Sequence, residues 1–160
     1  MSDLENDTRL SKTEREAIQG VIDRALDASK ADDRNGIAAA IVSGDQILEI
    51  GENEVNALTD PTKHAEMVVL AAVTQRLDRK QLSECTLISS LQPCEMCLSA
   101  MRFAGITRVI YCAQQENVAE KYFVFPKLKI TDFANAGAAF THIGGVKEAA
   151  VIHLYADGDE

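Results

Sequence analysis

Two short stretches carry the residue types that could do chemistry together: His64-Ala65-Glu66 and Pro93-Cys94-Glu95-Met96-Cys97. Neither is specific alone, because His-x-Glu arises by chance and a lone Cys-x-x-Cys serves redox or structural-metal roles equally well. Together they specify a metal site. Cys94 and Cys97 are three residues apart, so on a helix both face one way from the first turn. A helix N-terminus favours negative charge and so favours thiolates. His64 adds a third donor. Three protein ligands leave a tetrahedral Zn²⁺ one open position for water, the pattern of a catalytic zinc rather than a structural one. Zinc lowers the pKa of such a water towards ~7. Glu66, two residues from His64, is placed to move protons between that water and a reacting group. The candidate ligands are therefore His64, Cys94 and Cys97, and the candidate acid/base is Glu66. The competing readings are a closed structural site and a redox cysteine pair. A closed site needs a fourth ligand, and the remaining cysteines, Cys85 and Cys112, lie in apolar strand-like runs, where cysteine is usually a small core hydrophobe.

These residues need helices that start beside one another. Leu10, Ala17, Ile18, Val21, Ile22, Ala25 and Leu26 recur at helical spacing over about 10–31, with Ser11 or Thr13 as cap. Asn35-Gly36 breaks the pattern. GIAAAIVS then reads as a buried strand, Gly44-Asp45 as a turn and QILEIGEN as the returning strand of a hairpin. Residues 54–60 read as loop. Asp60-Pro61 signals a helix start, and the helix carrying His64 and Glu66 then runs to about Leu77. CTLISS (85–90) is a strand, Cys94–Ala104 a helix ending at Gly105, and RVIYCA (108–113) another strand. A short helix is expected near Asp132–Phe140 and a last strand at AVIHLY, 150–155. Strands alternating with helices imply a partly parallel sheet covered on its faces, and the hairpin makes it mixed. In a right-handed crossover, helix starts open on one edge of the sheet, where ligand crevices form.

The composition sets limits on this picture. The chain has 160 residues, enough for one domain (1–160), with 1–9 and 157–160 expected to be flexible. Hydrophobic residues at 46% and charged residues at 26% give a globular balance. The formal net charge is −9, which opposes broad binding to phosphate backbones, so nucleic acid is not the expected partner. No apolar run reaches the ~18 residues of a membrane span, so no membrane partner is expected. The acidic, polar start is unlike a secretory signal. A cytoplasmic, reducing setting follows as the expectation, with the four cysteines as thiols or metal ligands rather than disulfides.

The pattern Asn53…Asp60-Pro61-Thr62-Lys63-His64-Ala65-Glu66-Met67…Pro93-Cys94-Glu95-Met96-Cys97 resembles the cytidine-deaminase-like superfamily. More closely, it is similar to the branch holding guanine, cytosine and tRNA adenosine deaminases, over roughly Gly36 to Tyr122. The resemblance implies a three-layer α/β/α fold on a mixed five-stranded sheet, Zn²⁺ as cofactor and a homodimer. It implies that Asn53 holds the substrate ring and that the Ala65 backbone contacts the group attacked. Within that branch, Asn117 stands where guanine deaminases place an acidic residue, and Ile37 where many relatives place an aromatic one. Both are candidate substrate contacts, and Tyr155 is a candidate lid residue on a C-terminal segment that could be domain-swapped. The Tyr122-Phe123-Phe125 cluster reads as core or interface before substrate wall. The implied reaction is hydrolytic deamination of a free nucleobase or related aminated heterocycle, a small molecule, with a guanine-like purine favoured. The alternatives are a cytosine or pyrimidine deaminase, a tRNA adenosine deaminase, and a non-catalytic zinc-binding module of the same fold.

Overall fold

The computed structural model describes residues 3–31 and 36–156. The expected flexible end at 157–160 and Asn35 of the Asn35-Gly36 break lie outside the described residues. Helix α1 spans Lys12–Ala28. Its start is fixed by a reciprocal cap: Glu14 N–H donates to Ser11 Oγ at 3.0 Å, and Ser11 N–H donates to Glu14 Oε1 at 2.9 Å. Ala17, Ile18, Val21, Ile22 and Ala25 form its buried stripe. Residues 3–9 depart from the expected loose tail. A 3-10 turn over Asp3–Asn6 buries Leu4 against the core, and Arg15 Nη2 donates to the Asp7 carbonyl.

Strands β1 (Ala38–Ser43) and β2 (Gln46–Glu52) form the hairpin, turned at Gly44 with φ +57°. The short helix α2 (Val55–Leu58) follows, inside the stretch expected as loop, and then α3 (Ala65–Thr74). Asp60 does not start α3. Its Oδ1 accepts from the Thr62 N–H and hydroxyl at 2.9 and 2.7 Å, closing a turn of its own, and regular helix begins only after His64. Helix α4 (Arg79–Leu82), β3 (Cys85–Leu91), α5 (Glu95–Ala104) and β4 (Arg108–Ala113) come next. Gly105 ends α5 at φ +98°. Helix α6 spans Ile130–Asn135, and β5 Thr141–Ile143.

The sheet order is β2-β1-β3-β4-β5. β1 pairs antiparallel with β2 and β3, while β3–β4 and β4–β5 are parallel, so the sheet is mixed as expected. Alternation along β3 separates the layers: Thr86 faces Glu14 of α1, and Ser89 faces Glu66 of α3. Helix α3 packs against α5 on that second face.

The last strand is displaced from its expected place. The edge of β4 is taken by 141–143, and 150–155 does not enter the sheet. Gly144 carries the chain past the Tyr111 ring, which would lie 2.4 Å from any added Cβ. Two 3-10 turns follow, Glu148–Ala150 and Ile152–Leu154, and they bury Val151 and Tyr155 four residues apart. Among the described residues, no helix is long and apolar enough to cross a membrane.

Candidate metal centre and cavity

His64 and Cys94 hold equivalent positions, each the last extended residue before a helix. Neither side chain caps its own helix. The contact of α3 with α5 brings them face to face, and Cys97 joins from the first turn of α5. His64 Nδ1 lies 3.5 Å from Cys94 Sγ and 3.7 Å from Cys97 Sγ, and the sulfurs are 3.7 Å apart. This trio could hold a metal ion. With Zn–S ~2.3 Å and Zn–N ~2.0 Å, a tetrahedral zinc sets sulfurs about 3.8 Å apart and sulfur and nitrogen about 3.5 Å apart. The donor set therefore fits zinc in type and in spacing. Cys85 and Cys112 are buried free thiols, and neither belongs to the trio.

The local electrostatics separate the two cysteines. The Cys97 hydrogen bond draws the Cys94 thiol down to about 5, with His64 adding to it against burial. The same contact and burial push Cys97 up. The Cys94 sulfur holds the His64 imidazole above its ordinary value, against burial.

Glu66, in the first turn of α3, is only 3% exposed. Its Oε1 accepts from Ser89 Oγ at 2.9 Å, and its Oε2 lies 3.5 Å from Cys97 Sγ. Burial pushes this carboxyl up, and the charge on Cys94 adds to the shift. A buried carboxyl beside a metal trio, with one oxygen bonded and the other facing the sulfurs, is placed for acid/base work.

A cavity of about 720 Å³ opens at His64 and Cys94. Asn53 and Ile37 line it. Asn53 N–H donates to the Ile37 carbonyl at 3.0 Å, and Asn53 Oδ1 accepts from Val55 N–H at 2.9 Å, so the side-chain NH₂ is the group left for a ligand. Ala65 is fully buried and opens α3, where a backbone N–H has no acceptor within the helix. Asn117 is not brought in. It sits on an exposed 3-10 turn, with Nδ2 3.1 Å from Glu148 Oε1. Tyr155 is fully buried beside the cavity rather than poised over it. Its hydroxyl bonds Ser90 Oγ and the Gly36 carbonyl, and its ring packs edge-on against Tyr122.

Tyr122 and Phe125 line the cavity, whereas Phe123 is core. Glu95, between the two cysteines, fixes this wall: its Oε1 accepts from Phe125 N–H. Lys121 is also at the rim, with its ammonium 5.2 Å from the Tyr122 ring centre. Neither Glu95 nor Lys121 stands out in the sequence as a wall residue, and the aromatic cluster is the one sign of this wall there.

Residues 11–113 match the family described as the cytidine and deoxycytidylate deaminase zinc-binding region. Over 85 residues the chain is 38% identical to the guanine deaminase of Bacillus subtilis (strain 168), covering 53% of this chain and 54% of that protein. Over 77 residues it is 39% identical to the tRNA-specific adenosine deaminase of Aquifex aeolicus (strain VF5), covering 48% of this chain and 51% of that protein. The matches thus span about half the length of these curated relatives. A solved guanine deaminase structure from Nitrosomonas europaea superposes with a TM-score of 0.74 over 95% of this chain and 87% of that one. At 21% identity, that likeness speaks for the fold.

Proposed function

The chain belongs to the cytidine and deoxycytidylate deaminase zinc-binding family, and on that premise we propose that it hydrolytically deaminates a free nucleobase or similar aminated heterocycle, with a guanine-like purine as the leading substrate. The cofactor is Zn²⁺. The observation that carries the reading is the His64, Cys94 and Cys97 trio at zinc spacing with the Glu66 carboxylate 3.5 Å from Cys97.

His64 Nδ1, Cys94 Sγ and Cys97 Sγ would hold the ion. Zinc bound there would supply Lewis acidity towards a water. Glu66 takes a proton from that water and passes it to a ring nitrogen. The C–O bond forms, the C–N bond breaks, and a second proton leaves with the amine, so ring–NH₂ and water become ring carbonyl and ammonia. Asn53 holds the ring edge through its amide, and the Ala65 N–H faces the reacting group. Ile37, Tyr122 and Phe125 supply apolar walls suited to a flat ring and exclude water from it. Asn117, outside the cavity, takes no part.

A second reading is adenosine deamination in tRNA, supported by the 39% relative of that name. The net charge of −9 weighs against a phosphate-rich partner. We further propose that the chain acts as one domain and self-associates as a dimer, which sedimentation would test. An ammonia-release screen of zinc-loaded protein tests the function. Guanine, cytosine, their nucleosides and an RNA stem-loop with an unpaired adenosine are the arms. Release from free guanine supports the leading reading. Release from cytosine alone supports the pyrimidine alternative, and release from the stem-loop alone supports the tRNA one. No release from any arm leaves a zinc-binding module.

A further inference from the structure

Ser89 and Ser90 are adjacent on β3 and both fully buried, but they face opposite sides of the sheet. Ser90 has a structural use: its Oγ accepts from Ala38 N–H at 3.0 Å and bonds the Tyr155 hydroxyl at 2.8 Å. Ser89 has no such use. Its side chain lies between Leu87 and Leu91 on the same face, where a hydroxyl costs stability unless it is bonded. Its hydroxyl bonds Glu66 Oε1 at 2.9 Å. We infer that Ser89 is a positioning residue that fixes which oxygen of Glu66 works. The inference rests on the deaminase reading above.

The geometry makes the two oxygens unequal. Oε1 is tied to the central strand, while Oε2 is left on the side of Cys97, 3.5 Å from its sulfur. A carboxylate free to rotate would present either oxygen, or neither, to the metal trio. Bonded at Oε1, the carboxyl is oriented with Oε2 towards the trio. Ser89 neither lines the cavity nor belongs to the trio, so its effect passes through Glu66.

Threonine and valine share a shape and differ by the hydroxyl, so Ser89→Thr and Ser89→Val isolate the bond from the packing. The first readout needs no turnover: the isotope-edited infrared band of the Glu66 carboxyl. It shifts in Ser89→Val and stays near the wild-type position in Ser89→Thr. The second is kinetic. Losing one hydrogen bond to a charged, buried group lowers kcat by about 10- to 100-fold in Ser89→Val, with KM unchanged. Thr restores it, and bound zinc stays at the wild-type level in both. An unshifted band in Ser89→Val overturns the inference, as does a shifted band with full kcat. If the wild-type protein releases ammonia from no substrate, the deaminase reading fails, and the infrared comparison alone decides the role of Ser89.

Discussion

Replacing Arg108 with alanine measures how firmly α1 is fastened to the sheet. Arg108 grips Glu14 with two parallel bonds, Nε to Oε2 at 2.8 Å and Nη2 to Oε1 at 2.9 Å, and Nη2 also reaches the Arg9 carbonyl at 2.8 Å. The Glu14 side chain is 7% exposed and that of Arg108 is 29%. Removing one partner from a fully buried pair costs about 3–5 kcal/mol, while an exposed pair is worth ~0–1 kcal/mol. This pair lies between, and Glu14 keeps the Ser11 N–H. We expect a loss of about 2 kcal/mol at pH 7, or a Tm lower by about 4–8 °C for a domain of this size. Burial pushes the Glu14 carboxyl up, but Arg108, Ser11 and Thr86 together outweigh it, so its folded value lies below the ordinary one. Such a group adds stability above its unfolded pKa and loses it as pH falls through the folded pKa. The gap between wild type and Arg108→Ala is therefore full at neutral pH and closes below the ordinary carboxylate range, where Glu14 becomes protonated in both. Urea titrations of both proteins, with chelator to remove metal linkage, read this directly. A gap below ~0.5 kcal/mol at pH 7, the size of an exposed pair, refutes the reasoning, as does a gap that widens in acid.

Glu66→Gln keeps full zinc occupancy by metal analysis but lowers ammonia release by about 10²–10⁴-fold, the range of a lost acid/base group. Asn117→Ala leaves kcat, KM and substrate choice unchanged in the same assay, because Asn117 bonds Glu148 outside the cavity. Tyr155→Phe lowers stability by about 1–3 kcal/mol in thermal or urea unfolding, since the Gly36 carbonyl loses a buried donor and the Ser90 hydroxyl a buried acceptor. It also raises KM more than it lowers kcat, because the Gly36-Ile37 wall loosens.

What could be read from the sequence was local. Cys94 and Cys97 share a helical turn, and His64 stands two residues before Glu66, so the metal trio and its acid/base depended only on two helix starts meeting. The hairpin and the β3-α5-β4 unit followed from apolar runs bounded by turn residues. Where spacing gave way to long-range packing, the reading failed. The apolar run 150–155 looked like a strand, but the edge of β4 was already filled by 141–143. Asp60 carried a helix-start signal that its own Asx turn with Thr62 used up. Asn117 and Tyr155 come from resemblance, which names residues without saying what they touch: one bonds Glu148, the other Ser90 and the Gly36 carbonyl. The wall of Tyr122 and Phe125 depends on a contact from Glu95, thirty residues earlier, that no periodicity announces.

The Tyr155 fastening also differs from the metal trio in the length of chain it closes. His64 and Cys97 are 33 positions apart, whereas the tyrosine hydroxyl and the Gly36 carbonyl are separated by 119. Short loops close sooner than long ones. The ion's three ligands are thus joined by a short closure of the chain, and the wall beside them is tied by one more than three times as long.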